Sequence, residues 1–158
     1  MEETEYTDKK TKTPSLHNMF AHSYLFYFCF LVFSVILDFV FPIKIFNSNI
    51  FPNIGLFLIL ISNIGIFWAQ KTSRKLDKEN LSKESFLKGP YRFIKHPTYA
   101  SLFIMMIGFA FVVNGTFTFI ASIIFFVVSK ISFIKKEESI LTQKYGEHYL
   151  NYKKDVFF

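Results

Sequence analysis

A single cysteine, Cys29, stands in this chain of 158 residues. That scarcity excludes an intrachain disulfide and any multi-cysteine zinc site. Cys29 falls inside an apolar stretch and reads as a small apolar filler. His17 and His148 are lone histidines without metal-ligand spacing between them, so no metal site is expected. The N-terminus, Met1-Glu2-Glu3-Thr4-Glu5, is acidic. It lacks the basic region and short apolar core of a cleavable signal, so the first apolar stretch is expected to act as an uncleaved anchor. There is no internal repeat and no low-complexity tract beyond a richness in Phe and Ile.

Apolar mass is what the chain has in excess. It is 51% hydrophobic and 20% aromatic, with 23 Phe, and a soluble domain of this size has no interior large enough for that load. Four apolar stretches approach spanning length: Met19–Phe41, Ile50–Ala69, Pro97–Val113 and Thr116–Ile134. As helices they would be about 35, 30, 25 and 28 Å long, against a hydrocarbon core of about 30 Å. The expected fold is all-α: a polytopic membrane protein with about four transmembrane helices and a cytosolic C-terminal helix. Residues 1–18 read as a flexible cytosolic tail and 19–158 as a single membrane domain, with a cytosolic loop over 70–96. Asn114-Gly115 reads as a tight turn. Residues 135–152 read as a helix leaving the membrane, with Ile140, Leu141, Tyr145 and Tyr149 near one face and Gly146 as an interruption.

Of 18 Lys and Arg, all but Lys44 fall on one side of this arrangement. The positive-inside rule then puts both termini in the cytoplasm. A net charge of +6 is explained by a basic layer facing anionic lipid, and no nucleic-acid partner is expected. His22 and Asp38 lie near the ends of the first span and are expected to snorkel, and Trp68 reads as an interface anchor.

Two polar strings flank the last hairpin. The first is Gly89-Pro90-Tyr91-Arg92-Phe93-Ile94-Lys95-His96-Pro97-Thr98-Tyr99, and the second contains Glu137-Glu138. Proline suits the first helical position. The N–H groups of Thr98, Tyr99 and Ala100 would then form an anion site together with the helix dipole. His96 can add a donor there, and Tyr91 and Tyr99 add rings and hydroxyls. Counted from Gly115, Thr98 is 17 residues back and Glu137 is 22 on. The carboxylates therefore fall about 7 Å below the third helix's N-terminus, near a low-dielectric boundary that strengthens their pull on a cation. Such a pocket suits a ligand carrying a cation, a carboxylate and a flat heterocycle.

The pattern Gly-Pro-Tyr-x-x-x-(Arg/Lys)-His-Pro-x-Tyr, an apolar hairpin, then Glu137-Glu138-x-x-Leu141-x-x-x-Tyr145-Gly146-x-x-Tyr149-x-x-Tyr152 resembles the isoprenylcysteine carboxyl methyltransferase and phospholipid methyltransferase superfamily. The resemblance covers roughly residues 86–156. It implies S-adenosyl-L-methionine as methyl donor, bound by Tyr91, His96, Pro97, Thr98, Tyr99, Glu137 and Glu138, with Phe86 where the family usually has an aliphatic residue near the cofactor. It implies a lipid or prenylated acceptor, with Glu137 as the catalytic carboxylate where a proton must be removed. Three departures bear on the acceptor. Ser101 replaces a frequent glycine, and Phe133 stands where protein-methylating members carry an Arg. The chain stops at Val156-Phe157-Phe158 where many members continue. The last two weigh against the carboxylate of a prenylated protein. Two other functions fit the composition: a membrane NADPH-dependent sterol-type reductase, and a non-enzymatic assembly or lipid-binding protein.

Overall fold

The computed structural model describes residues 16–48, 50–76 and 87–156. They form α1 (Leu16–Val40), α2 (Ile50–Leu76), a 3-10 turn (Gly89–Arg92), α3 (Pro97–Val113), α4 (Thr116–Val128), a π turn (Ser129–Ile134) and α5 (Lys135–Asp155). Among the described residues the only β pairing is an isolated antiparallel bridge, Lys44 to Gly115. All four apolar stretches are helical. Three stretches are long and apolar enough to cross a membrane: Ala21–Val40, Ile50–Ser73 and Thr116–Gln143. Helix α3 is the shorter fourth. Of the expected tail, residues 1–15 lie outside the described residues. Helix α1 already begins at Leu16, and α2 runs on through the start of the expected loop to Leu76. Residues 77–86 of that loop, Phe86 included, also lie outside the described residues.

The core gathers Tyr27 and Leu31 from α1, Leu102 and Met106 from α3, and Ala121 and Phe125 from α4. Helix α2 packs along the back of α3 through small residues. A Cβ on Gly55 would come within 2.6 Å of the Gly108 carbonyl oxygen, and one on Gly108 within 2.9 Å of the Gly55 carbonyl oxygen. Without side chains the two backbones meet directly, which is how helices associate in a medium where apolar contact with lipid costs nothing. Ser101 is accommodated on the same principle, because the glycine is on the other helix: a Cβ on Gly65 would lie 2.5 Å from Ser101 Oγ. Large apolar side chains such as Leu25, Phe39, Leu60, Ile64 and Phe67 point outward, where a membrane protein meets acyl chains. Cys29 is on this outer surface, so it does not fill the core.

The end of the bundle away from the basic loop is pinned by two polar side chains. Asn114 adopts a left-handed conformation, φ 52°, as asparagine can where most residues cannot. Its Oδ1 accepts from the Ile45 and Phe46 N–H groups at 3.2 and 3.0 Å, and its Nδ2 donates to the Phe46 carbonyl at 2.7 Å. Asp38 corrects an expectation. It does not snorkel but is buried at 5% exposure. It accepts from the Phe117 and Thr118 N–H groups, each at 2.8 Å, and from the Thr118 hydroxyl at 2.6 Å. These are the orphan donors of the first turn of α4, and a carboxylate there is also favoured by the helix dipole.

Candidate active site

At the basic end, Gly89 (φ 61°) opens the 3-10 turn. A Cβ there would lie 2.5 Å from Thr72 Oγ1, so this turn is pressed against α2. The chain then enters α3 at Pro97, and no side chain caps this N-terminus. The Ala100 N–H is taken by the His96 carbonyl at 3.2 Å. The expected anion site therefore reduces to the N–H groups of Thr98 and Tyr99.

On the other side of the hairpin, α4 runs into the π turn and then α5 as one rod. A π turn carries more residues per turn than an α-helix and so rotates everything beyond it. Glu137 and Glu138 meet His96 directly. His96 Nδ1 lies 3.0 Å from Glu137 Oε2, and His96 Nε2 lies 3.4 Å from Glu138 Oε1. His96 and Glu137 are 4% and 6% exposed, so the contact is sealed from bulk water. The donor expected of His96 is directed at the glutamates: both of its ring nitrogens face the carboxylates.

Helix α5 is not straight. Gly146 has φ 55°, ψ −131°, a conformation open to glycine and strained for other residues. The chain doubles back there, and Lys153 Nζ donates to Glu138 Oε2 at 2.7 Å. On a straight helix these residues would be about 22 Å apart. The single apolar face expected over 135–152 is thus two short faces folded together. Tyr149, Tyr152 and Val156 pack with Leu87, Tyr91, Leu141 and Tyr145, and the Tyr152 hydroxyl donates to the Tyr91 carbonyl at 2.7 Å. Burial, and after it the nearby Glu137 charge, pushes the Tyr91 phenol above its ordinary range. Burial also raises Tyr149, reinforced by Glu138 and Glu137, and raises Tyr152, reinforced by Tyr91 and Glu137. All three phenols are held neutral around the carboxylates.

Aromatic rings continue the site into the bundle. His96 and Tyr99 have ring centroids 6.4 Å apart, Tyr99 and Phe133 6.3 Å, Phe133 and Phe26 5.6 Å, and Phe26 and Phe30 5.7 Å. The Tyr99 hydroxyl shares a hydrogen bond with Ser23 Oγ at 3.3 Å, and Thr98 and Tyr99 are buried. Of the residues expected at the site, the structure brings together Tyr91, His96, Pro97, Thr98, Tyr99, Glu137 and Glu138; the Tyr91 ring packs on the C-terminal hairpin while its hydroxyl meets the Thr98 and Ser73 side chains. Sequence reasoning missed Lys153. The one signal that could have found it is Gly146, if read as a reversal rather than an interruption.

A model of the phospholipid methyltransferase family matches residues 51–148, a region that holds α2, the entry turn, the hairpin and both glutamates. No curated protein and no solved structure matches the chain. The match favours the methyltransferase expectation over the reductase and the non-enzymatic protein. Helices fit to cross a bilayer, a buried polar cluster at one end of them and a family match over well over half the sequence lead to one assignment: this chain belongs to the phospholipid methyltransferase family, integral membrane enzymes that methylate lipid.

Proposed function

We propose that this protein transfers a methyl group from S-adenosyl-L-methionine to the amine of a membrane phospholipid, at the cytosolic end of the bundle. The observation that carries this reading is the buried contact between His96 and Glu137 at 3.0 Å, across 41 residues of sequence. It joins the two polar strings that flank the hairpin beside an uncapped helix N-terminus.

The residues present suit the cofactor. The N–H groups of Thr98 and Tyr99 are placed to take a carboxylate. Glu138 already holds an alkylammonium, that of Lys153, and an amino-acid ammonium is the same group. The rings of Tyr99 and Phe133 offer faces to a flat base or a sulfonium. When bound, S-adenosyl-L-methionine would supply a methyl carbon open to in-line attack by a neutral amine, the electron pair of the carbon–sulfur bond leaving with sulfur. Glu137 prepares the amine: its carboxylate accepts a proton from the lipid ammonium and frees the lone pair that forms the new carbon–nitrogen bond. His96, between Glu137 and Glu138, can pass that proton to the Glu138 carboxylate, which is 22% exposed and gives it up to water. Phe133 supports a lipid over a prenylated protein, since a ring offers no charge to a carboxylate acceptor.

Labelled methyl transfer by the purified protein into a total lipid extract, followed by mass spectrometry, tests this reading. Label in an amine phospholipid is the expected result. Thermal stabilisation by NADPH and none by S-adenosyl-L-methionine would overturn it.

A further inference from the structure

Several hydroxyls within the helices close on their own backbone. Ser34 donates to the Leu31 carbonyl at 2.8 Å, Ser62 to Leu58 at 2.6 Å and Ser122 to Phe119 at 2.6 Å. Two do not. Tyr27 Oη and Ser129 Oγ are sealed from solvent and make no hydrogen bond, on residues 5% and 2% exposed. An unpaired buried hydroxyl costs stability that Phe and Ala at these positions would avoid.

The two occupy one level of the bundle. The Tyr27 ring packs edge-on against Phe125, centroids 5.4 Å apart. Ser129 follows Phe125 by one turn on the same face of the rod. Side chains lean toward the N-terminus of their helix, so the Tyr27 hydroxyl reaches toward the basic end, where Ser129 lies. Ser129 also opens the π turn, and such turns are frequent at functional sites. Phe133 and then Glu137 stand between this level and the basic end, Glu137 about 12 Å away along the rod.

We propose that the Tyr27 and Ser129 hydroxyls bind the ester carbonyls of a diacyl glycerolipid acceptor, one headgroup below the site of methyl transfer. This deepens the function proposed above and rests on it. Two neutral donors in a low-dielectric layer suit a neutral oxygen, whereas a phosphate at that depth would carry a heavy desolvation cost. In a diacyl phospholipid the neutral acceptor between headgroup and tails is the ester carbonyl. With the amine at Glu137, those carbonyls hang toward the tails, which is toward Ser129.

The test compares diacyl and dialkyl-ether phosphatidylethanolamine of equal chain length, using the full chain in detergent. Wild type is expected to favour the diacyl lipid about tenfold in kcat/KM, the worth of one good hydrogen bond, and to be stabilised thermally by it more than by the ether lipid. In Tyr27→Phe and Ser129→Ala both preferences shrink toward unity. Stabilisation by S-adenosyl-L-methionine stays and the melting temperature of the lipid-free protein does not fall. Equal treatment of the two lipids by wild type, or preferences unchanged in the variants, overturns the inference. If neither lipid is methylated but the thermal preference is present and lost in the variants, the hydroxyl pair stands and the methyltransferase reading falls.

Discussion

Glu138 and Lys153 lie fifteen residues apart in the chain and 2.7 Å apart in space. The glycine at 146 makes that possible, and the fold-back lays Tyr149 and Tyr152 over the entry turn. The C-terminal hairpin is therefore part of the wall around the glutamates.

Gly146→Ala tests this wall. An added Cβ meets nothing within 4 Å, so the cost is backbone strain alone, about 1–3 kcal/mol. Hydrogen exchange over residues 147–156 is expected to speed up while exchange in α3 stays as it was, and methyl transfer is expected to fall. Unchanged exchange in the hairpin would show that the reversal does not depend on glycine.

Glu137→Gln tests the proposed base. The amide keeps the shape and can still meet His96, but it cannot accept a proton. A drop of about 10²- to 10⁴-fold in turnover is expected, read as labelled methyl per enzyme. Full activity in this variant would remove the carboxylate from the reaction.

The tyrosine cluster carries a pH prediction. Tyr91, Tyr149 and Tyr152 have folded-state values raised above the ordinary 10.0. A raised value means that the folded state favours the proton more than the unfolded one does. Their contribution is present in full below about pH 10 and is lost as pH climbs beyond it. Alkaline titration followed by tyrosinate absorbance should therefore show late ionisation coupled to release of the hairpin. Tyr149→Phe, which has no phenol to ionise, should move that release to higher pH. Release at the same pH in the variant would clear Tyr149 of the effect.

Asp38→Ala tests the far end. It would strand two N–H groups and the Thr118 hydroxyl in the interior. The expected loss is about 2 kcal/mol or more, combining a lost helix cap with unpaired buried donors. It would be measured as a lower melting temperature in detergent, with Asp38→Asn recovering part of it.

The helices were legible because length and hydropathy are local properties: all four apolar stretches are helical, and Pro97 begins α3 as its missing N–H suggests. The approach of His96 to the glutamates was legible to within a turn by counting from Gly115. What the count could not see was the π turn over Ser129–Ile134, which leaves no signature in composition. Asp38 was misjudged for a similar reason. Its depth suggested escape to the interface, but its partners are backbone groups nearly eighty positions away in the chain. Lys153 was invisible because a glycine inside a helical pattern can interrupt, kink or reverse, and only the tertiary fold decides which.

The pinned end has a mechanical consequence. Asp38 ties α1 to α4, and Asn114 ties the α1–α2 loop to the α3–α4 turn. These knots are remote from the glutamates. The bundle is thus built like tongs, with its rivet at one end. The register of α1 against α4 is therefore set at the end remote from the glutamates and does not depend on what occupies theirs.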